Sequence, residues 1–365
     1  MKGSWERAGR AAAAAVLVLA GALACGGGAS TATESSAAPA TGGSAGTGGV
    51  PATAEPPKPP AGVVEFEQAE PGSGKGLTIG FTQLSLASGF PQDVQKGVEA
   101  QAKIAGAELI TCDSKLDAAK ALDCAKLFKT RGAKGLITFQ ADTNAAPRIC
   151  AAGPSVPVLA VDIEQKPCQT AFMGAANTYA GQLAGYEVGK YFKEKFNCEY
   201  DAFISLEALQ VGAVNEQRMG GVREGFASVC GEVRNLRKLD TGGAGGDVAQ
   251  KLMTDTLTAL PGQKRIIVVG INEDGILGAL AAARAQNRTN DLYLGVQNLN
   301  PANCVIYQHP NWIGSVAYFP ERYGEILVPY LIKAIKGEKV PEQLLVPHAV
   351  VNKDNVKQHY PQYAC

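Results

Sequence analysis

Asp162 directly follows the apolar run Pro157 to Val161, and Asn272 lies just past the run Ile266 to Gly270. A carboxylate or carboxamide at the end of such a run can exchange hydrogen bonds with the hydroxyls of a small molecule. Gln83 and Gln140 hold similar places, after Leu77 to Thr82 and after Gly135 to Phe139. Each position has a structural alternative, since Asp162 can cap the next turn and Asn272 the next helix. Two carboxylates acting together would suggest glycoside hydrolysis, but Asp162 has no convincing partner, Glu164 being the nearest. The run Gly242 to Asp247 lacks both Gly-Lys-Ser/Thr and the dinucleotide spacing, so it reads as a strand-to-helix turn capped by Asp247. No cysteine pair has Cys-x-x-Cys spacing and His309, His348 and His359 share no ligand-like register, so neither metal nor cofactor is expected.

These positions sit within a regular alternation of short β-rich runs and longer amphipathic ones. Strands are predicted at 77–82, 107–111, 135–139, 157–161, 201–206, 233–239, 265–270, 292–296, 313–318 and 344–351. Helices are predicted near 91–106, 115–131, 144–152, 178–196, 214–229, 247–259, 274–286 and 321–336. Such alternation demands an α/β fold with parallel sheet. A closed eightfold barrel also fits the first eight strands, but the strand, helix and strand that follow extend the count beyond it. Trp312, at a strand start, is expected in the core.

The first 75 residues are of another kind. Lys2, Arg7 and Arg10 precede the small apolar run Ala11 to Ala24, too short for a comfortable membrane span, and Cys25 follows it directly. The stretch 26–75 is rich in Gly, Ala, Ser, Thr and Pro and reads as a disordered tether. It could hold the folded part on the order of 40 Å from a membrane. Eight cysteines remain after Cys25: Cys112, Cys124, Cys150, Cys168, Cys198, Cys230, Cys304 and Cys365. An even number in an exported chain favours disulfides, with on the order of a hundred connectivities open. Sequential pairing is the expectation, 112 with 124, 150 with 168, 198 with 230 and 304 with 365. The formal net charge is zero and no basic run follows the leader, so nothing recommends nucleic acid.

The placement of Cys25 resembles the bacterial lipoprotein signal, which implies lipidation there, a signal peptide over 1–25 and attachment at the cell envelope. With Gly26 next, the resemblance implies the outer membrane where the organism has one. The folded part resembles the periplasmic sugar-binding proteins of the ribose-binding type, whose lobes also form the sensor part of lactose-repressor-like regulators. The marks are Leu77 to Thr82 followed by Gly89-Phe90-Pro91, Val161-Asp162, Asn177 with Tyr179-Ala180-Gly181, and Glu216 to Gly221. Asn272 to Leu280 and Ala334 to Glu338 complete them. The resemblance implies two doubly wound parallel-sheet lobes joined by three crossings, with ligand between them. On this chain the lobes would be 76–174 with 319–347, and 175–318 with 348–365. Each expected disulfide then stays within one lobe, as a hinge that opens requires.

The same resemblance assigns roles. Phe90 matches an aromatic that stacks on a sugar ring, Asp162 an acceptor of two hydroxyls, and Arg218 the ligand arginine; Asn272 offers both donor and acceptor. Ile163 stands where the ribose type carries an arginine, Gln297 where it carries an acidic residue, and Tyr318 where it carries a glutamine. Losing two charged contacts at about 1.5 to 3 kcal/mol each implies a sugar-like ligand other than ribose held in the usual way. Gln140 and Gln83 complete the candidates. Three classes of function follow. They are a monomeric, lipid-tethered receptor serving a permease driven by an ATPase, a receptor presenting its ligand to a chemoreceptor or kinase, and an exported glycosidase. The first is the reading adopted, with binding rather than turnover as its activity.

Overall fold

The computed structural model describes residues 54–87, 89–242, 245–300 and 304–361. Cys25 and Cys365 lie outside the described residues, as do the leader and the first half of the expected tether.

Two six-stranded sheets organise the chain. The first contains β1 (Thr78–Gln83), β2 (Glu108–Asp113), β3 (Gly135–Thr138), β4 (Val158–Val161), β5 (Ala171–Ala175) and β11 (Gln343–Val346), in the order β11-β5-β4-β3-β1-β2. Every neighbouring pair in it is parallel. The second contains β6 (Ala202–Glu207), β7 (Leu236–Asp240), β8 (Ile266–Gly270), β9 (Leu292–Gln297), β10 (Trp312–Ala317) and β12 (Ala349–Val351), ordered β12-β10-β9-β8-β6-β7. It is parallel except at its edge, where β12 runs antiparallel to β10. Two open sheets exclude the closed barrel. Both sheets reverse their strand order beside their first strand, which is where open α/β sheets place ligands.

The expected strand at 344–351 is two strands, β11 on the first sheet and β12 on the second. Pro347 has no N–H for a ladder, so the apolar run breaks there and changes sheets. The sequence pattern does not mark the short run Ala171 to Ala175 as a strand; β5 makes it one. The chain therefore passes between sheets three times, after β5, after β10 and between β11 and β12.

Helices α1 (Gly89–Ala105), α2 (Ala118–Thr130), α3 (Ala146–Ala152) and α9 (Gly324–Ile335) accompany the first sheet. With the second go α4 (Asn177–Phe196), α5 (Ala213–Cys230), α6 (Gly246–Thr258), α7 (Glu273–Ala285) and the short α8 (Val305–Gln308) and α10 (Val356–His359). Asp247 does not cap α6, whose N-cap is Gly245; it lies in the first turn, where the helix dipole favours a carboxylate. One apolar cluster runs through both lobes by way of the crossings. It takes Phe81, Leu159 and Met173 from the first, Phe203 and Ile267 from the second, and Tyr318 and Tyr323 between them.

Three disulfides lie within single lobes and join Cys112 to Cys124, Cys150 to Cys168 and Cys198 to Cys230. Cys304 is also disulfide-bonded.

Residues 54–75, expected as tether, pack onto the folded body instead. The Val64 N–H donates to Leu345 O at 3.0 Å and Leu345 N–H to Gly62 O at 2.7 Å, extending the β11 edge of the first sheet. Phe66 meets Phe319 edge-on at 5.8 Å and carries the Arg322 guanidinium 4.1 Å above its ring. Ala69 is buried, and its N–H donates to the Gln101 side chain. Toward its start the segment reaches the second lobe, where the Tyr186 hydroxyl donates to Ala54 O. Val63, Phe66 and Ala69 cannot form a core among themselves, but an edge strand and an aromatic crossing supply the surface they cover.

Candidate ligand-binding site

Asp162 ends β4 with a left-handed backbone, φ +54, a conformation that Asp tolerates better than most residues. Its N–H donates to Met173 O at 2.8 Å, which ties the turn to β5. The carboxylate, held among protein groups, has its pKa pushed up to about 6 by burial. The Arg218 charge and the Ala175 N–H pull the other way and only partly offset that loss of water. Asp162 therefore remains mostly ionised at neutral pH while being poorly solvated, a state that a hydroxyl donor would relieve.

Arg218 comes from the second lobe, on α5. Helices α4 and α5 approach closely through Gly181 and Gly185 on one and Gly221 and Gly225 on the other; a Cβ on Gly181 would collide with the Arg218 carbonyl oxygen. This proximity lets the Arg218 Nε donate to Asn177 Oδ1 at 2.8 Å, at the start of α4. Its Nη1 donates to Ile271 O at 3.4 Å, and its guanidinium lies 4.7 Å above the centre of the Tyr318 ring. Three partners thus hold one flexible cation, and its charge reaches Asp162.

The crossings form the floor. Tyr318 is fully buried and its hydroxyl donates to Gln297 Oε1 at 2.9 Å, while Gln297 Nε2 points to the Met219 sulfur at 3.8 Å. Tyrosine and glutamine thus satisfy each other at two positions where charge or a second amide was the family expectation. His348, between β11 and β12, meets Tyr318 edge-on at 4.5 Å. Its Nε2 accepts from the Ala176 N–H at 3.1 Å and its Nδ1–H donates to Ala317 O at 3.0 Å. Those two bonds require the neutral ring with its proton on Nδ1. Burial lowers its pKa to about 4, the Ala317 bond working against this and the Arg218 charge with it. Ala176, Ala317 and His348 belong to the three different crossings, so one imidazole ties all of them together.

Phe90, half-buried at the start of α1, meets the ring of Tyr323 edge-on at 5.7 Å. Tyr323 is itself fully buried, and its phenol is kept protonated by burial first and by the Asp162 charge next. Its hydroxyl has no hydrogen-bond partner.

Other candidates do not join this group. Gln140 spends both N–H groups on protein acceptors, Asp142 O at 2.9 Å in its own loop and Gln165 Oε1 at 2.8 Å between β4 and β5, and its oxygen accepts from the Asp142 N–H. Gln83 is buried and donates to Pro91 O and Gln95 Oε1, anchoring α1. Asn272 is the N-cap of α7, its Oδ1 accepting from the Gly275 N–H at 3.0 Å. Ile163 is half-buried against the shared apolar cluster. Glu164 pairs with Lys166 at 3.0 Å on the surface. Trp312 is buried and donates to Ser315 Oγ. Conversely, Tyr323 and His348 were not foreseen as site residues: Tyr323 is an aromatic in an apolar stretch, and His348 acquires its role only when three distant segments meet. By sequence Asn177 is a helix opener, and its spacing to Arg218 carries no signal of the bond.

The geometry has relatives. Residues 79–339 match the family described as periplasmic binding protein domain. The ribose import binding protein of Salmonella typhimurium is 23% identical over 279 residues, covering 76% of this chain and 90% of that one. Among solved structures, an ABC transporter solute-binding protein from Mycobacterium smegmatis with bound glycerol has a TM-score of 0.64 at 24% identity. That likeness covers 77% of this chain and 96% of that protein. A second, from Actinobacillus succinogenes with bound D-allose, has a TM-score of 0.65 at 17% identity, covering 77% and 99%. These relatives agree with the resemblance to the ribose-binding type. With its two α/β lobes, three crossings and a match covering most of its length, this chain belongs to the periplasmic binding protein family.

Proposed function

We propose that this protein captures a sugar or sugar-like polyol between its lobes and hands it to a membrane permease driven by an ATPase. Export and a lipid anchor at Cys25 are part of the reading and rest on the leader sequence. The observation that carries it is that the Arg218 charge, from the second lobe, acts on the buried Asp162 carboxylate of the first, beside the crossings. Acceptor and donors with a phenol near them suit hydroxyls, and Glu164, the carboxylate nearest to Asp162 in sequence, pairs with Lys166 instead. Relatives whose names mention ribose import, and structures holding D-allose, myo-inositol or glycerol, support the ligand class. Closure on ligand is then a population shift of the two lobes.

The pairing of Tyr318 with Gln297 and the apolar Ile163 leave fewer free polar groups than the ribose-type pattern implies. The ligand is therefore expected to be something other than ribose in its usual pose. The test is a thermal-shift screen of the chain against monosaccharides, polyols and nucleosides, with chromogenic glycosides as the check for turnover. A ligand at a hundred times its Kd stabilises by about 2.7 kcal/mol, a shift of several degrees. Asp162→Ala and Arg218→Ala should each abolish the shift. Full binding in both variants would refute the site, and glycoside turnover lost in Asp162→Ala would refute the activity.

A further inference from the structure

Tyr323 presents a contradiction if it is only a packing residue. Its ring is completely buried in the cluster shared by the lobes, where phenylalanine would fill the same space, yet it carries a hydroxyl with no partner. A buried hydroxyl left unsatisfied has lost its water and gained nothing, so native proteins seldom retain one. The neighbours make the position specific: Asp162 and Arg218 are close enough for their charges to act on the phenol. Phe90 holds the ring edge-on from α1. Tyr323 also opens α9 just past the second crossing, so its place depends on the hinge. Among the described residues the Gln165 amide also lacks a partner. It borders a small cavity beside the Cys150–Cys168 disulfide, away from the crossings.

We infer that the Tyr323 hydroxyl is a ligand contact and forms with Asp162 a donor–acceptor pair that grips one hydroxyl of the bound molecule. This rests on the cleft being the ligand site proposed above. A ligand hydroxyl accepts from the phenol and donates to the carboxylate at once; a hydrogen or a methyl at that position does neither, and a carbonyl cannot donate. The pair therefore selects for a hydroxyl at one carbon and against the deoxy analogue.

The test compares the wild type with Tyr323→Phe, Asp162→Asn and the double variant. Each is titrated calorimetrically with D-ribose, D-allose, myo-inositol and glycerol and melted without ligand. Tyr323→Phe should leave the ligand-free midpoint unchanged or raise it, because an unsatisfied group has been removed. It should weaken the best-bound probe about tenfold, and by clearly less in the Asp162→Asn background, since the pair acts on one hydroxyl. A ligand-free midpoint lowered by several degrees, or a bound probe with unchanged Kd, would overturn the inference. If no probe binds the wild type, the sugar reading fails by that result, while the ligand-free melts still decide whether the phenol is structural.

Discussion

Replacing His348 with glutamine gives the sharpest account of the hinge, because the imidazole must be neutral to do what it does. Its Nε2 accepts from Ala176 N–H on the first crossing and its Nδ1–H donates to Ala317 O at the second. A second proton would occupy the accepting nitrogen and face the Ala176 N–H directly. The groups around it offer no counter-charge: Tyr318 and Tyr179 present rings, and Arg218 is a cation. The native pKa is about 4 against 6.5 for the free side chain. The unfolded chain therefore binds the proton first as pH falls. Stability from His348 is fully present above about pH 6.5 and is lost as pH drops from there to about 4. The size of the loss is about 3 kcal/mol.

The wild-type melt alone would hide this. Asp162 and Glu321 have native pKa values raised to about 6 and about 7, chiefly by burial, so the folded protein takes up their protons first and gains stability as pH falls. Those contributions are common to wild type and His348→Gln, and the difference between the two isolates the imidazole. At pH 7.5 the wild type should be the more stable by about 1 kcal/mol, since glutamine can keep only one of the two hydrogen bonds. By pH 4 the order should reverse, the gap having moved by about 3 kcal/mol, on the order of 6 °C in midpoint for a protein of this size. Differential scanning calorimetry of both proteins at half-unit pH steps supplies the measurement. Parallel curves from pH 7.5 to 4 would mean that His348 does not bridge the crossings as a neutral ring.

Two further substitutions probe the site from its energetics. Asp162→Asn should stabilise the ligand-free protein at pH 7 by up to about 3 kcal/mol, because the native carboxylate is held ionised against a raised pKa of about 6 where 3.8 is ordinary. The gain should vanish near pH 4 as the wild-type carboxyl takes its proton, and chemical denaturation at both pH values would register it; equal stability at pH 7 would contradict the burial of that charge. Gly181→Ala should push α4 from α5 against the Arg218 carbonyl, costing on the order of 1 to 3 kcal/mol of stability and displacing the Arg218 side chain from Asn177. Ligand affinity should fall with it, and a variant with wild-type melting and binding would show that the helices need no such approach.

The two substitutions bear on Asp162 and Arg218, which the sequence marks by type and position, and this is where its legibility ends. Asp162 follows an apolar run and Arg218 lies in the second turn of a helix, so strand ends and early helix turns suffice to find them. The alternation of runs likewise yields the order of most strands and helices. It cannot say which sheet a strand joins: Leu344 to Val351 is one apolar stretch to the eye, and only Pro347 and the meeting of both lobes divide it. Ala171 to Ala175 is a strand because β4 and β11 flank it, not because its composition demands one. Val63, Phe66 and Ala69 are sparse apolar residues in a proline-rich stretch, and their placement is decided by β11, by Phe319 and by Gln101 of α1. Gln83 and Gln140 resemble ligand groups by position, yet α1 takes up the first carboxamide and Asp142 with Gln165 the second.

Tyr318 belongs with these cases and explains the character of the site. Read alone, a tyrosine in place of a glutamine and a glutamine in place of an acid are two losses of ligand contacts. Together they form a hydrogen bond at 2.9 Å, and the tyrosine ring then supports Arg218 from below and leans on His348. Two departures from the ribose-type pattern are thus one compensated change. The polar groups surrendered to ligand at the crossings reappear as internal support for the arginine, which leaves Asp162, the arginine and the unpartnered phenol of Tyr323 to meet whatever enters.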